Sequence, residues 1–195
     1  MTKQSHMLQL ENITPEWTLF LDRDGVINHE KNNDYILHKG EFRFYDGVTE
    51  ALATLRPFFR YILITTNQKG VGKGVMRLED LQDIHQYMTT EIEQAGGSID
   101  QIYFCADLSD DSPNRKPNPG MAFQAKADFP DIDLSKSIMI GNRPSDMKFG
   151  RNAGMYTVFV ATTHPEVPFP HPDIDLRFKD LPAFVEALLQ IRKLQ

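Results

Sequence analysis

"FLDRDGVIN", residues 20–28, ends an apolar run with two carboxylates one residue apart, Asp22 and Asp24. Like charges this close repel each other and resist burial, so the pair asks for a cation or a chemical task. Asp24-Gly25 is also a favourable turn dipeptide, but a turn directly after Leu19, Phe20 and Leu21 does not need two acids. Magnesium takes oxygen ligands and binds through one or two carboxylates together with substrate phosphate. In such a site one Asp can also attack phosphorus, giving an acyl phosphate that water later hydrolyses. Asp24 then handles the protons, first protonating the leaving oxygen and later activating water.

Working outward, short runs rich in Ile, Val, Leu and Phe predict strands at 17–22, 61–66, 99–105, 137–141 and 155–161. Helical spacing predicts helices at 47–57, 78–95, 119–128, 145–153 and 181–195. Several strands are apolar on both faces, as interior parallel strands are. Strands alternating with helices predict an α/β fold, a mostly parallel central sheet with helices on both faces. Residues 1–195 are expected to form one such domain, with 1–16 as an N-terminal extension and 29–46 as a loop or hairpin over the first strand end.

Composition fits that class. The chain has 195 residues, 41% hydrophobic and 25% charged, with a formal net charge of −6. It has no broad basic field for nucleic acid or anionic membrane, so any phosphate must be met locally. The opening "MTKQSHMLQLENITPEW" lacks the pattern of a secretory leader and no run has the length of a membrane span, which makes the cytoplasm the expected compartment. Cys105 is the only cysteine, which excludes an intrachain disulfide and a cysteine-rich zinc site.

In open sheets ligands bind outside the carboxyl ends of the strands, and informative residues fall at three further such ends. "TTNQKG" (65–70) offers Thr66 and Asn67 as donors to phosphoryl oxygens, although a polar turn reads equally well in isolation. "KGVGKG" (69–74) does not fit G-x-x-x-x-G-K-[ST], because Lys73 is followed by Gly74. A flexible turn is the better reading there. In "NRKPNPG" (114–120), Pro117 keeps Lys116 out of the helical region. Lys116 could then balance carboxylate and phosphate charge while Arg115 forks onto a substrate oxygen. A solvated basic pair is the plainer alternative. In "GNRPSDMKFG" (141–150), Asn142 stands at a strand end and Asp146 lies one turn into a helix. Capping and the helix dipole would explain either alone, but not the repetition of such residues at four strand ends.

Taken in order, these motifs resemble the haloacid dehalogenase (HAD) superfamily, over about residues 17–160. They are most similar to its small-molecule phosphatases related to heptose-1,7-bisphosphate 7-phosphatase and histidinol-phosphate phosphatase. The resemblance implies a Rossmann-like fold, Asp22 as nucleophile, Asp24 as acid/base, Thr66 on the phosphoryl group and Lys116 as the charge-balancing lysine. Asn67, Gln68, Arg115 and Arg143 are implied at the substrate, and Asp22, Asp24, Asn142 and Asp146 around Mg2+. Two positions depart from the family pattern. Gly141-Asn142 stands where Gly-Asp is usual, which removes a negative charge from the metal site. Cys105, Asp107, Ser112 and Asn114 stand where close relatives often carry a zinc loop, so no zinc is expected and "ADLSDDSP" (106–113) must be ordered otherwise or move.

The expected function is therefore Mg-dependent hydrolysis of a small phosphate monoester through phospho-Asp22, in an open site without a large cap domain. The alternative is a phosphate-ligand binding or regulatory protein, catalytically weakened by Asn142. Neither a nucleic-acid nor a membrane partner is expected, and the sequence leaves the oligomeric state open, with a monomer favoured.

Overall fold

The computed structural model describes residues 7–193. Its six strands are β1 (Thr18–Leu21), β2 (Tyr61–Asn67), β3 (Gln101–Cys105), β4 (Ser137–Gly141), β5 (Tyr156–Val160) and β6 (Leu176–Phe178). They form one sheet in the order β3-β2-β1-β4-β5-β6, every neighbouring pair parallel. The chain runs outward from β1 to β3 and returns to add β4 on the other side of β1. The crevice between β1 and β4 is thus the switch point where an open α/β sheet binds ligands. Register makes that crevice sharp. Leu21 is level with both Ile64 and Ile140, and the Asp22 N–H donates to the Ile140 carbonyl at 2.9 Å.

The helices are α1 (Val48–Leu55), α2 (Lys69–Gly72), α3 (Leu78–Gln94), α4 (Gly120–Asp128), α5 (Pro144–Ala153) and α6 (Leu181–Lys193). Alternation along β1 divides the core between the two faces of the sheet. Leu19 and Leu21 pack with α1, α3 and α6 through Leu52, Leu55, Leu81, Ile84 and Phe184. Phe20 faces the other way, toward Met121, Ala125 and Phe149 of α4 and α5. Full burial of each such side chain contributes roughly 1.5–3 kcal/mol. This double cover explains why 19–21 of β1 and 138–140 of β4 are apolar without a break.

The expected strands and helices are present with ends shifted by one or two residues; the helix expected to reach 195 runs past the described residues, as does part of the 1–16 extension. Within 7–16, Leu8, Leu10 and Ile13 are buried in the core. Segment 29–46 is a loop whose ends pair, His29 N–H donating to Arg43 O at 2.8 Å and Tyr45 N–H to Ile27 O at 3.1 Å. It carries a 3-10 turn at Lys39–Glu41, and among the described residues no cap domain follows β1 or β2. The sheet has one strand more than expected. β6 lacks an apolar run, and what fixes it is the buried Asp175, bound by Arg151 at 2.7 and 2.8 Å and by the Thr157 N–H at 2.8 Å. No helix among the described residues is long and apolar enough to cross a membrane.

Candidate active site

The carboxyl ends of β1, β2 and β4 open onto a cleft of about 1100 Å³ lined by Asp22, Asp24, Thr66, Asn67, Gln68, Arg115, Lys116, Arg143 and Asp146. Lys116 is at its centre. Its ammonium lies 2.9 Å from Asp22 Oδ1 and 2.7 Å from Asp146 Oδ1, with all three side chains nearly excluded from solvent. Burial and the neighbouring Asp146 and Asp24 carboxylates push the Asp22 carboxyl up to about 7, even though Lys116 pulls it down. Burial disfavours the charged lysine, but Asp146 and Asp22 outweigh it and raise Lys116, so the cation is kept.

Second-strand residues hold this centre rather than only facing the cleft. Asn67 Nδ2 donates to the Lys116 carbonyl and Asn67 Oδ1 accepts the Lys116 N–H, both at 3.1 Å. Gln68 Nε2 donates to Asp24 Oδ2 and to Thr66 Oγ1, both at 2.9 Å. Asp24 also accepts from Arg23 Nη2 at 2.9 Å and from Asn28 Nδ2 at 2.9 Å. Burial works against its charge, but Arg23 and the hydrogen bonds from Asn28 and Gln68 prevail and hold the carboxyl below its ordinary range. Arg23 is itself buried and held from behind. Burial and then the Arg23 charge push His85 down to about 3, so its ring is neutral and Nε2 accepts from Arg23 Nη1 at 3.2 Å.

The fourth motif divides its duties. Asp146 Oδ2 accepts the Arg143 N–H at 3.0 Å, capping α5 behind Pro144, while Oδ1 holds Lys116. Asn142 is fully buried, its Nδ2 donating to Thr163 Oγ1 at 2.6 Å. Its Oδ1 is buried without a protein partner. Such an orphaned oxygen is costly, and oxygen is the donor magnesium prefers. The donor set, the Asp22 carboxylate with the Asn142 amide oxygen, therefore fits a hard divalent cation carrying one protein charge fewer than two carboxylates would supply. Gly25 completes the fit. It has φ +86°, and a Cβ there would lie 2.0 Å from Asn142 Nδ2.

At the mouth, Arg143 Nη2 meets Glu30 at 2.9 Å, tying the loop after β1 to α5. Arg115 Nε meets Asp110 at 2.9 Å. The segment 106–113 is ordered by hydrogen bonds: Ser112 Oγ donates to Asp107 at 2.5 Å, and Asn118 Nδ2 donates to the carbonyls of Asp110 at 3.0 Å and Ser112 at 2.8 Å.

Of the candidate site residues, all but Asn142 line this cleft, and Asn142 is buried beside it between Gly25 and Thr163. Sequence reading missed Arg23, Asn28, His85, Thr163, Asp110 and Lys69. Two of these carried a signal. Arg23 lies between the two acids it must neutralise, and "TTH" (162–164) follows a fifth strand end, where the same positional rule applied. His85 sits mid-helix and had none.

Comparison with known proteins agrees with this geometry. Residues 113–167 match the family model described as HAD-hydrolase-like. The D-glycero-alpha-D-manno-heptose-1,7-bisphosphate 7-phosphatase of Mycobacterium tuberculosis is 36% identical over 138 residues, 70% of this chain and 73% of that protein. The D-glycero-beta-D-manno-heptose-1,7-bisphosphate 7-phosphatase of Helicobacter pylori is 34% identical over 166 residues, 84% of this chain and 94% of that protein. The crystal structure of D,D-heptose 1,7-bisphosphate phosphatase from B. bronchiseptica, complexed with magnesium and phosphate, superposes with a TM-score of 0.81 at 28% identity, covering 90% of this chain and 99% of that one.

Proposed function

We propose that this chain, which belongs to the haloacid dehalogenase-like phosphatases and is a phosphoric monoester hydrolase, removes one phosphate from a sugar bisphosphate of the heptose-1,7-bisphosphate kind. The observation that carries this reading is the buried Lys116 ammonium bridging Asp22 and Asp146 at the floor of the cleft. A lysine so held keeps an anionic nucleophile and an anionic phosphoryl group together.

Asp22 is the nucleophile. Both its Lys116 and Arg23 N–H contacts fall on Oδ1, which leaves Oδ2 available for the attack on phosphorus. Attack forms an aspartyl phosphate and releases the sugar alkoxide. The anionic substrate beside Asp24 raises its proton affinity, so Asp24 takes up a proton from solvent as the substrate binds and passes it to that leaving oxygen. It then takes a proton from the water that hydrolyses the intermediate. Thr66 Oγ1 accepts from Gln68, which leaves its own hydroxyl hydrogen for a phosphoryl oxygen. Mg2+, held by Asp22, the Asp24 turn and Asn142, would offset the repulsion between nucleophile and substrate. Asp146 supports this set by holding Lys116.

The test is phosphate release from heptose 1,7-bisphosphate, the matching monophosphates and histidinol phosphate, with magnesium or with chelator. Magnesium-dependent release strongest from the bisphosphate is expected, and release from none of them would remove the proposal. A second reading follows from Asn142, a neutral side chain where the family usually carries an acid: a protein that binds phosphate esters with little turnover. Saturable binding of the bisphosphate without phosphate release would favour it.

A further inference from the structure

Charge is matched unevenly around the cleft. Arg23 and Arg143 each meet one carboxylate, Asp24 and Glu30. Lys31 has two, Asp34 at 3.9 Å and Glu41 at 2.7 Å, and Lys116 also has two. At the mouth the ratio reverses. Arg115 Nε and Lys69 Nζ share the single carboxylate of Asp110, at 2.9 and 3.6 Å from the same oxygen. Arg115 Nη1 is in addition buried without a partner, although the Asp110 side chain is 86% exposed on the 106–113 segment. Two cations and a free guanidinium donor facing one carboxylate form a seat that a dianion fills better than Asp110 does.

We propose that Asp110 is an internal competitor for the substrate's second phosphate: it occupies the seat made by Arg115 and Lys69, and the incoming phosphate displaces it. This rests on the sugar bisphosphate reading above and adds a specificity device to it. The Asp110 end of the pair is exposed, so the displaced carboxylate is taken up by water, and the acid rides on a segment tied to the body through Asn118 and through the Pro113 carbonyl, which accepts the Gly120 N–H at 2.8 Å. A monophosphate ester anchored at Asp22 brings no second anion and leaves Asp110 seated. Competition by Asp110 thus sets how strongly the site prefers bisphosphates, while the chemistry at Asp22 is untouched.

The experiment compares KM for heptose 1,7-bisphosphate with KM for heptose 7-phosphate in the natural chain, Asp110→Asn and Lys69→Gln. In Asp110→Asn the bisphosphate-to-monophosphate KM ratio falls about fivefold, as loss of one exposed competing charge allows, with kcat on the bisphosphate held. In Lys69→Gln the ratio rises. A ratio that stays constant or rises in Asp110→Asn overturns the proposal, the rise meaning that Asp110 positions Arg115 for substrate. A constant ratio in Lys69→Gln overturns it independently, should the first variant fold poorly. If the natural chain hydrolyses neither ester, the phosphatase reading fails instead. Dissociation constants of the same two esters, from titration calorimetry, then report the same ratio.

Discussion

Asn67 clasps the peptide of Lys116 from both sides, donating to its carbonyl and accepting from its N–H at 3.1 Å each. The residue that ends β2 thereby fixes the aim of a lysine 49 positions later. Asn67→Ala is expected to lower kcat on the order of 10–100-fold while moving KM little, because small misplacements of a catalytic group carry that penalty. Asn67→Asp keeps the acceptor, loses the donor and falls between. Steady-state kinetics decide: a raised KM with unchanged kcat would mean that Asn67 contacts substrate instead.

Asn142 supplies a neutral oxygen where an acid would fit. Asn142→Asp is expected to tighten magnesium binding several-fold, since the added charge faces a hard cation and the Thr163 hydroxyl can donate to the carboxylate in place of accepting from the amide. Without magnesium the same variant gains an anion beside Asp22 and Asp24, and its thermal midpoint should fall. Calorimetric titration with Mg2+ and melting in chelator check both halves. Unchanged affinity would take Asn142 out of the metal shell.

The Asp22 carboxyl, pushed mainly by burial to about 7 from an ordinary value of 3.8, makes stability depend on pH. Between those values the folded chain keeps a proton that the unfolded chain has released, so this group's contribution is full below about 3.8 and is lost as pH rises through about 7. In chelator, the natural chain should therefore lose stability relative to Asp22→Asn over that window. Thermal midpoints of the two proteins followed across pH should diverge. Parallel curves would contradict the assignment.

Gly25 holds a left-handed backbone, φ +86°, against the Asn142 side chain. Gly25→Ala combines strain of about 1–3 kcal/mol with displacement of Asn142. Urea unfolding should register the loss of stability, and weaker magnesium affinity should accompany it.

The sheet and the floor of the site were legible in the sequence because both follow local rules. Apolar runs such as "LFL" (19–21) mark strands buried on both faces, and acids placed just beyond them mark the carboxyl ends. β6 was not legible, since the Arg151–Asp175 pair that fixes it joins residues 24 apart. Roles within the site were less legible than membership. Gln68 and Asn67 carry donors suited to substrate, and only tertiary structure reveals that Asp24, Thr66 and the Lys116 peptide engage them first. The ordering of 106–113 by Asn118 in place of a zinc loop rests on contacts between backbone carbonyls and one amide, which no residue pattern announces.

The central claim is that phosphate passes through Asp22. The direct measurement is borohydride trapping during turnover of heptose 1,7-bisphosphate with magnesium, followed by peptide mass spectrometry. Reduction of an aspartyl phosphate leaves homoserine, and the account predicts that mass change at position 22 alone, absent without substrate and absent in Asp22→Asn. Sustained turnover with no modification at Asp22, or turnover that survives Asp22→Asn, would contradict it.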